Sequence, residues 1–97
     1  AVFQDIGGLK PKAAVKSSGV VVGRVKAIEF NNATYQAVAV LDMDDNYHFP
    51  RDSMLKIMTS GLLGEQYIGI TAGYEAQDLK AGDRISSTQS APMARDS

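Results

Sequence analysis

Hydrophobic and polar positions alternate along this chain in short runs, and turn residues separate the runs. The clearest run is 35–43, where alanine, valine and leucine side chains fill both faces of a predicted strand. No stretch of ten residues shows a convincing 3.6-residue period, so the pattern does not indicate a helix. Alternating or β-branched runs predict further strands at 1–5, 13–16, 20–22, 24–30, 53–59, 66–71 and 84–86.

The residues between these runs are typical of turns. Ser17-Ser18-Gly19 and Asn31–Thr34 contain the residue types that tolerate left-handed backbone or bond to it locally. Six or seven short strands separated in this way predict an all-β fold. We favour a barrel over a sandwich, because closure removes exposed sheet edges in a small domain. The predicted barrel covers residues 1–90, and we expect residues 91–97 to be a disordered tail.

Composition narrows the function classes. The 97 residues suffice for one domain, and the net charge of -1 gives no general attraction to nucleic acid. Cysteine is absent, which excludes disulfides and thiolate metal sites. No run of about 18 apolar residues exists to span a membrane. We interpret the chain as a piece of a longer protein, since its first residues already belong to a predicted strand.

The candidate metal-binding and catalytic residues do not form a recognisable active site. Asp42, Asp44 and Asn46 match the first ligand positions of an EF-hand loop, but Tyr47 and Ser53 occupy the places of its glycine and its last carboxylate. A solvated acidic turn is the better interpretation. His48 is the only histidine and has no companion ligand or nucleophile. We therefore expect no enzyme activity, no metal and no cofactor.

Basic residues gather in the first third of the chain. They would either keep a β surface hydrated or meet anionic lipid headgroups or an acidic partner, and we favour hydration. The residues concerned are Lys10, Lys12, Lys16, Arg24 and Lys26.

One turn carries two large apolar side chains. Leu62 and Leu63 lie between Gly61 and Gly64, and a predicted strand enters and leaves on either side. The leucines would either fold back to plug the end of the barrel or project from a hairpin tip toward another subunit, a membrane or an apolar ligand. The residues alone leave both alternatives open.

Four blocks of sequence together resemble a known family. They are Phe3–Leu9, Val15–Val25, Thr59–Ile68 and Gly82–Ile85, and in this order they are similar to the MCE (mammalian cell entry) domain family. The resemblance implies a small seven-stranded MCE-type β-barrel. It also implies that the natural first strand and a C-terminal helix lie at least partly outside these residues.

The resemblance further implies a role in phospholipid transport. Members are non-enzymatic subunits of ABC-type transporters that maintain outer-membrane lipid asymmetry, working with permease, ATPase and STAS-domain subunits. An N-terminal helix would anchor the protein in the bacterial inner membrane, with the barrel in the periplasm as a homohexameric ring. Gly61, Leu62, Leu63 and Gly64 would line its pore, which passes phospholipid to or from a soluble periplasmic lipid carrier. The alternative is a binding or adhesion module that presents the same tip to a protein or a membrane.

Overall fold

The computed structural model of this chain describes residues 1–61 and 64–90. The strands are β1 (Val2–Phe3), β2 (Ala14–Ser17), β3 (Val20–Asn31), β4 (Gln36–Met43), β5 (Met54–Ser60), β6 (Glu65–Thr71) and β7 (Thr88–Gln89). Neither range contains a candidate membrane-spanning helix. The predicted tail, 91–97, lies outside the described residues.

The seven strands form one sheet that closes almost into a barrel. Their order is β1-β4-β3-β2-β6-β5-β7, with β2 parallel to β6, β5 parallel to β7 and the other pairs antiparallel. The two outer strands meet: the Thr88 hydroxyl donates to the Val2 carbonyl at 2.5 Å, and Val2 N donates to the Ile85 carbonyl at 2.9 Å. The predicted all-β barrel is confirmed.

The stretch predicted as two strands, 20–22 and 24–30, is a single twelve-residue strand, β3. Its register shifts against β2 beside Gly23, and it shifts again against β4 between Val25 and Ala27. Such bulges bend and twist a strand without ending it. Gly23 also permits a close approach, since a Cβ there would lie 2.8 Å from the backbone oxygen of Asp42. The glycine therefore marks a bend, not a strand end.

A single apolar core fills the barrel. Phe3, Leu55, Ile57 and Ile68 are fully buried, and each comes from a strand that contributes alternate residues to the inside. The remaining buried apolar residues are Leu9, Val15, Val22, Val25, Ala39 and Ile70. In the described part of the chain, no buried side-chain nitrogen or oxygen lacks a hydrogen-bond partner. The core is thus apolar, and the buried side-chain nitrogen and oxygen atoms of the described residues are hydrogen-bonded.

The last strand lies later than the sequence predicts. Residues 84–86 are not a strand, and β7 begins at Thr88. Thr88 pairs in parallel with Leu55, so β7 adds a short outer strand to the sheet beside β5. The local sequence of 84–86 cannot show which short segment will pair with β5. That pairing partner is more than 30 positions away in sequence. The prediction of 84–86 as a strand was wrong for this reason.

Asp52 holds the loop that follows β6. Its carboxylate accepts hydrogen bonds from Tyr74 N and Glu75 N, at 2.9 to 3.0 Å. These donors stabilise the charged form, and they lower the pKa of Asp52 below its ordinary value of 3.8. The side chain also occupies the space that a Cβ on Gly73 would need. Asp52 therefore connects the turn before β5 to the loop after β6.

Asp52→Asn is expected to lower the thermal midpoint at neutral pH. The folded-state pKa lies below the unfolded one, so the carboxylate contributes stability above the unfolded pKa and loses it as pH falls through the folded pKa. The gap between native and variant midpoints should therefore shrink from pH 7 to about pH 2. Asp45→Asn removes the same charge from an exposed turn and serves as the control. An Asp52→Asn gap that stays constant across this range would contradict the assignment.

Candidate functional site

The β5–β6 hairpin leaves the core before it turns. Ile57 pairs with Ile68, and both are fully buried. Three further pairs continue the ladder to Ser60 and Glu65, and these two residues are exposed. The hairpin tip therefore extends beyond the apolar interior of its own barrel.

Two glycines frame the tip, as the sequence predicts. Gly61 has φ 66° and Gly64 has φ 70°, backbone conformations that side chains other than glycine rarely adopt. Gly64 N lies 3.4 Å from the Gly61 carbonyl and donates to it, which closes a tight turn. Both glycines are exposed, and a Cβ on either would meet nothing within 4 Å. Leu62 and Leu63 lie outside the described residues, so their assignment to the site stays a prediction.

Neighbouring elements hold the base of this hairpin. Gln66 Oε1 accepts a hydrogen bond from Gly8 N at 2.5 Å. The Lys16 ammonium lies 5.0 Å from the centroid of the Tyr67 ring, within the range of a cation–π interaction. These contacts tie the hairpin to the 5–13 loop and to β2, so its direction is fixed from two sides.

Three loops share the barrel end at which this hairpin turns. β2 runs parallel to β6 and antiparallel to β3, so β2 and β6 begin where β3 ends. The 5–13 loop before β2, the 32–35 turn after β3 and the Gly61–Gly64 turn before β6 therefore lie at one end. We call it the turn end. The opposite, far end carries the 18–19 turn and the loops 44–53 and 72–87.

The acidic candidates and His48 lie away from the turn end. Asp42 is exposed at the end of β4, and the Asp44 carboxylate accepts from Asn46 N at 2.8 Å, which makes a local turn. His48 is exposed in the following loop. Among the residues that the structure describes, no three histidine or carboxylate side chains are arranged to hold a metal ion. Asp44, Asp45 and Asn46 form an exposed turn after β4.

A groove of about 650 Å³ runs beside the later residues of β4, toward the far end. Leu41, Met43 and Leu79 supply apolar lining, while Asp42, Lys80 and Arg84 contribute charges. The groove does not include Gly61 or Gly64. It is a concave surface that is separate from the hairpin.

Comparison with known proteins identifies the family. The sequence profile of a family described as MlaD protein matches residues 1–73. This chain belongs to the MlaD family. The predicted resemblance to MCE domains is confirmed, because the match includes three of its four sequence blocks in full.

Curated relatives of the MlaD family match almost the whole chain. The chain is 44% identical over 102 residues to the intermembrane phospholipid transport system binding protein MlaD of Escherichia coli K12, covering 99% of the chain and 56% of that protein. It is also 44% identical to the protein of the same name from Haemophilus influenzae, of which it covers 60%. The chain thus spans little more than half the length of these relatives.

A solved structure of a protein complex contains a similar barrel. A chain of the Acinetobacter MlaFEDB complex, in an ATP-bound conformation, superposes with a TM-score of 0.81 at 26% identity. The match covers 98% of this chain and 76% of the other. A barrel similar to this chain is therefore part of the Acinetobacter MlaFEDB complex.

Sequence reasoning missed two exposed aromatic residues at the turn end. Phe30, near the end of β3, is 59% exposed, and Tyr35, the last residue of the 32–35 turn, is 75% exposed. Ile28, on the same face of β3, packs against the core, whereas Phe30 does not. The closeness of the two aromatic residues to the turn residues Asn31-Asn32 could have predicted this exposure, because residues beside a hairpin turn lie where the paired strands leave the core.

Proposed function

We propose that this chain is the barrel of a non-enzymatic binding subunit in a phospholipid transport system. The relatives that match it over 99% of its length are named as binding proteins of such a system. The barrel similar to it belongs to a complex captured with ATP. The chain would therefore bind and pass lipid, while chemistry and energy come from other subunits.

The observation that carries this proposal is the projecting β5–β6 hairpin. Its described flanks are exposed, and its two glycines have left-handed backbone that closes a narrow tip. The sequence places Leu62 and Leu63 between those glycines. An apolar pair at a narrow tip beyond the core is suited to contact something outside its own barrel.

We further propose that the subunit assembles as a homohexameric ring. In the ring, Gly61, Leu62, Leu63 and Gly64 of each copy would line a central pore and form an apolar collar. Each methylene of an acyl chain gains about 0.8 kcal/mol on leaving water for apolar surroundings, so acyl chains would favour that path. The polar headgroups would stay at the hydrated rim.

The proposed place of this ring is the periplasm. A helix preceding the barrel would anchor the full protein in the bacterial inner membrane. Permease, ATPase and STAS-domain subunits would complete the transporter, and a soluble periplasmic lipid carrier would exchange phospholipid with the ring. The passage of lipid in this system would maintain outer-membrane asymmetry.

Two measurements on the full-length protein test the proposal. A photoreactive amino acid at position 62 or 63 is expected to give phospholipid adducts on irradiation, whereas the same group at Tyr74, 99% exposed at the far end, is not. Light scattering of the purified protein should give the mass of six copies. A monomer at high concentration would contradict the ring, and liposome binding by that monomer through Leu62 and Leu63 would favour the adhesion module instead.

A further inference from the structure

The β3–β4 hairpin presents two aromatic rings at the turn end. Phe30 and Tyr35 expose more than half of their surface, and their ring centroids lie 6.2 Å apart with planes tilted by 54°. The residues between them, Asn31–Thr34, carry no charge. An uncharged aromatic tip is suited to apolar material that ends in a polar group, because tyrosine combines an apolar ring with a hydroxyl.

The backbone at Tyr35 is held in an unusual conformation. Its φ is 55°, which costs free energy in any residue with a side chain. A hydrogen bond from Tyr35 N to the Asn31 carbonyl, 2.7 Å long, closes the turn. The Asn31 carboxamide also accepts from Ala33 N at 2.8 Å. A strained, well-supported backbone that exposes a ring is the kind of feature found at functional sites.

The 5–13 loop places cations between the two hairpins. Gly8 N bonds to Gln66 of the β5–β6 hairpin, and Lys12 N bonds to the Val25 carbonyl of β3 at 2.7 Å. Lys10 and Lys12 are both exposed, and Lys12 also has left-handed backbone, with φ 76°. The loop therefore joins the two hairpin bases into one surface that carries ammonium groups.

The charges of the two barrel ends differ. The far-end loops carry six carboxylates against three cations, whereas the turn-end loops carry two lysines and one aspartate, with Glu29 and Glu65 exposed on the adjoining strands. The far-end carboxylates are Asp44, Asp45, Asp52, Glu75, Asp78 and Asp83. A phosphate group is repelled by the far end and attracted to the lysines of the turn end.

We propose that the turn end holds a second phospholipid contact, beyond the Gly61–Gly64 turn. Phe30 and Tyr35 pack against the acyl chains of a single phospholipid, and Lys10 and Lys12 bind its phosphate. The lipid is thereby oriented beside the hairpin that carries Leu62 and Leu63. This contact rests on the proposed function for its substrate class and adds the residues that would receive the lipid before or after the pore.

A single lipid fits this surface better than a protein partner does. A whole aromatic side chain buries about 150–250 Å². At their observed exposures, the two rings therefore offer together about 200–350 Å². A stable protein complex buries about 800 Å² on each partner. The apolar area is small, and the adjacent ammonium groups match the phosphate that every phospholipid carries.

Photo-crosslinking on the full-length protein tests the contact. The probe is a short-chain phosphatidylglycerol with a diazirine in one acyl chain, supplied below its micelle concentration, and adducts are mapped by mass spectrometry. Adducts are expected in residues 30–36 of the native protein. The double variant Phe30→Thr with Tyr35→Gly should lower their yield about tenfold, because it removes both rings. Glycine adopts φ 55° without strain, so Tyr35→Gly keeps the turn.

Two further variants sharpen the result. Tyr74→Ser removes an aromatic ring that is 99% exposed at the far end, and it should leave the adduct yield at 30–36 unchanged. Lys10→Gln with Lys12→Gln should raise the probe concentration needed for half-maximal labelling, because the phosphate loses its partners. Inorganic phosphate at the same concentration as the probe should not protect the 30–36 segment.

Three outcomes would overturn the contact. They are an unchanged yield in the aromatic double variant, labelling that appears only when the probe is in vesicles, and an equal loss in Tyr74→Ser. The second outcome would assign the surface to a bilayer instead of a single lipid. Adducts at positions 62 and 63 report on the pore proposal independently, so failure here leaves that proposal standing.

Discussion

Cells whose only copy of the full-length protein carries Leu62→Asn together with Leu63→Asn are expected to lose the outer-membrane barrier as completely as a deletion strain. Asparagine has the same branching and the same number of side-chain heavy atoms as leucine, and it replaces two methyl groups by an amide. An acyl chain in contact with such a collar loses the transfer free energy of its methylenes, about 0.8 kcal/mol each. Over several methylenes, this loss would remove the preference of an acyl chain for the proposed path.

The same variant should fold normally. Gly61 and Gly64, which set the turn, are unchanged, and the described residues on either side of the tip are exposed. Detergent sensitivity of the cells measures the barrier, and circular dichroism with thermal unfolding of the purified variant measures the fold. Thr59→Asn with Ser60→Asn, at exposed positions of the same hairpin, is the matched control. Full complementation by the leucine double variant would exclude an apolar collar at these positions.

Phe3→Ala is expected to give the largest loss of stability in the described core. Phe3 is fully buried, and it lies in β1, one of the two outer strands that close the barrel. Truncation of a buried phenylalanine costs about 3–5 kcal/mol, as lost transfer free energy plus the cavity left behind. This is a large share of the roughly 5–15 kcal/mol that stabilise a typical domain. Denaturant unfolding of the purified chain measures it from the shift in midpoint at constant slope.

Phe30→Ala provides the internal comparison for that experiment. It removes the same atoms from a ring that is 59% exposed, so its cost should be no more than about 1 kcal/mol. Equal costs for the two variants would mean that burial at Phe3 does not stabilise β1. A loss of cooperativity in Phe3→Ala alone would show that closure between β1 and β7 depends on this ring.

The accuracy of each strand prediction depended on the sequence separation between the strand and its partner. β5 and β6 were predicted within one residue, because a tight turn joins them and their alternating residues face one interior. β7 was misplaced, because its partner Leu55 is distant in sequence and only the folded barrel brings the two together. β3 was divided at Gly23, since a glycine that bends a strand and a glycine that ends one are identical in sequence.

The sequence by itself determined the class of fold, the family and the hairpin that carries Gly61–Gly64. Short-range alternation and turn chemistry encode those features locally, and four ordered blocks encode the family. Only the tertiary structure decided that this hairpin, the 5–13 loop and the Phe30–Tyr35 pair share one end of the barrel. That placement follows from the parallel pairing of β2 with β6, a contact between strands about 50 positions apart. Alternation along one strand carries no information on which strand becomes its neighbour, and the turn end exists only through that neighbour.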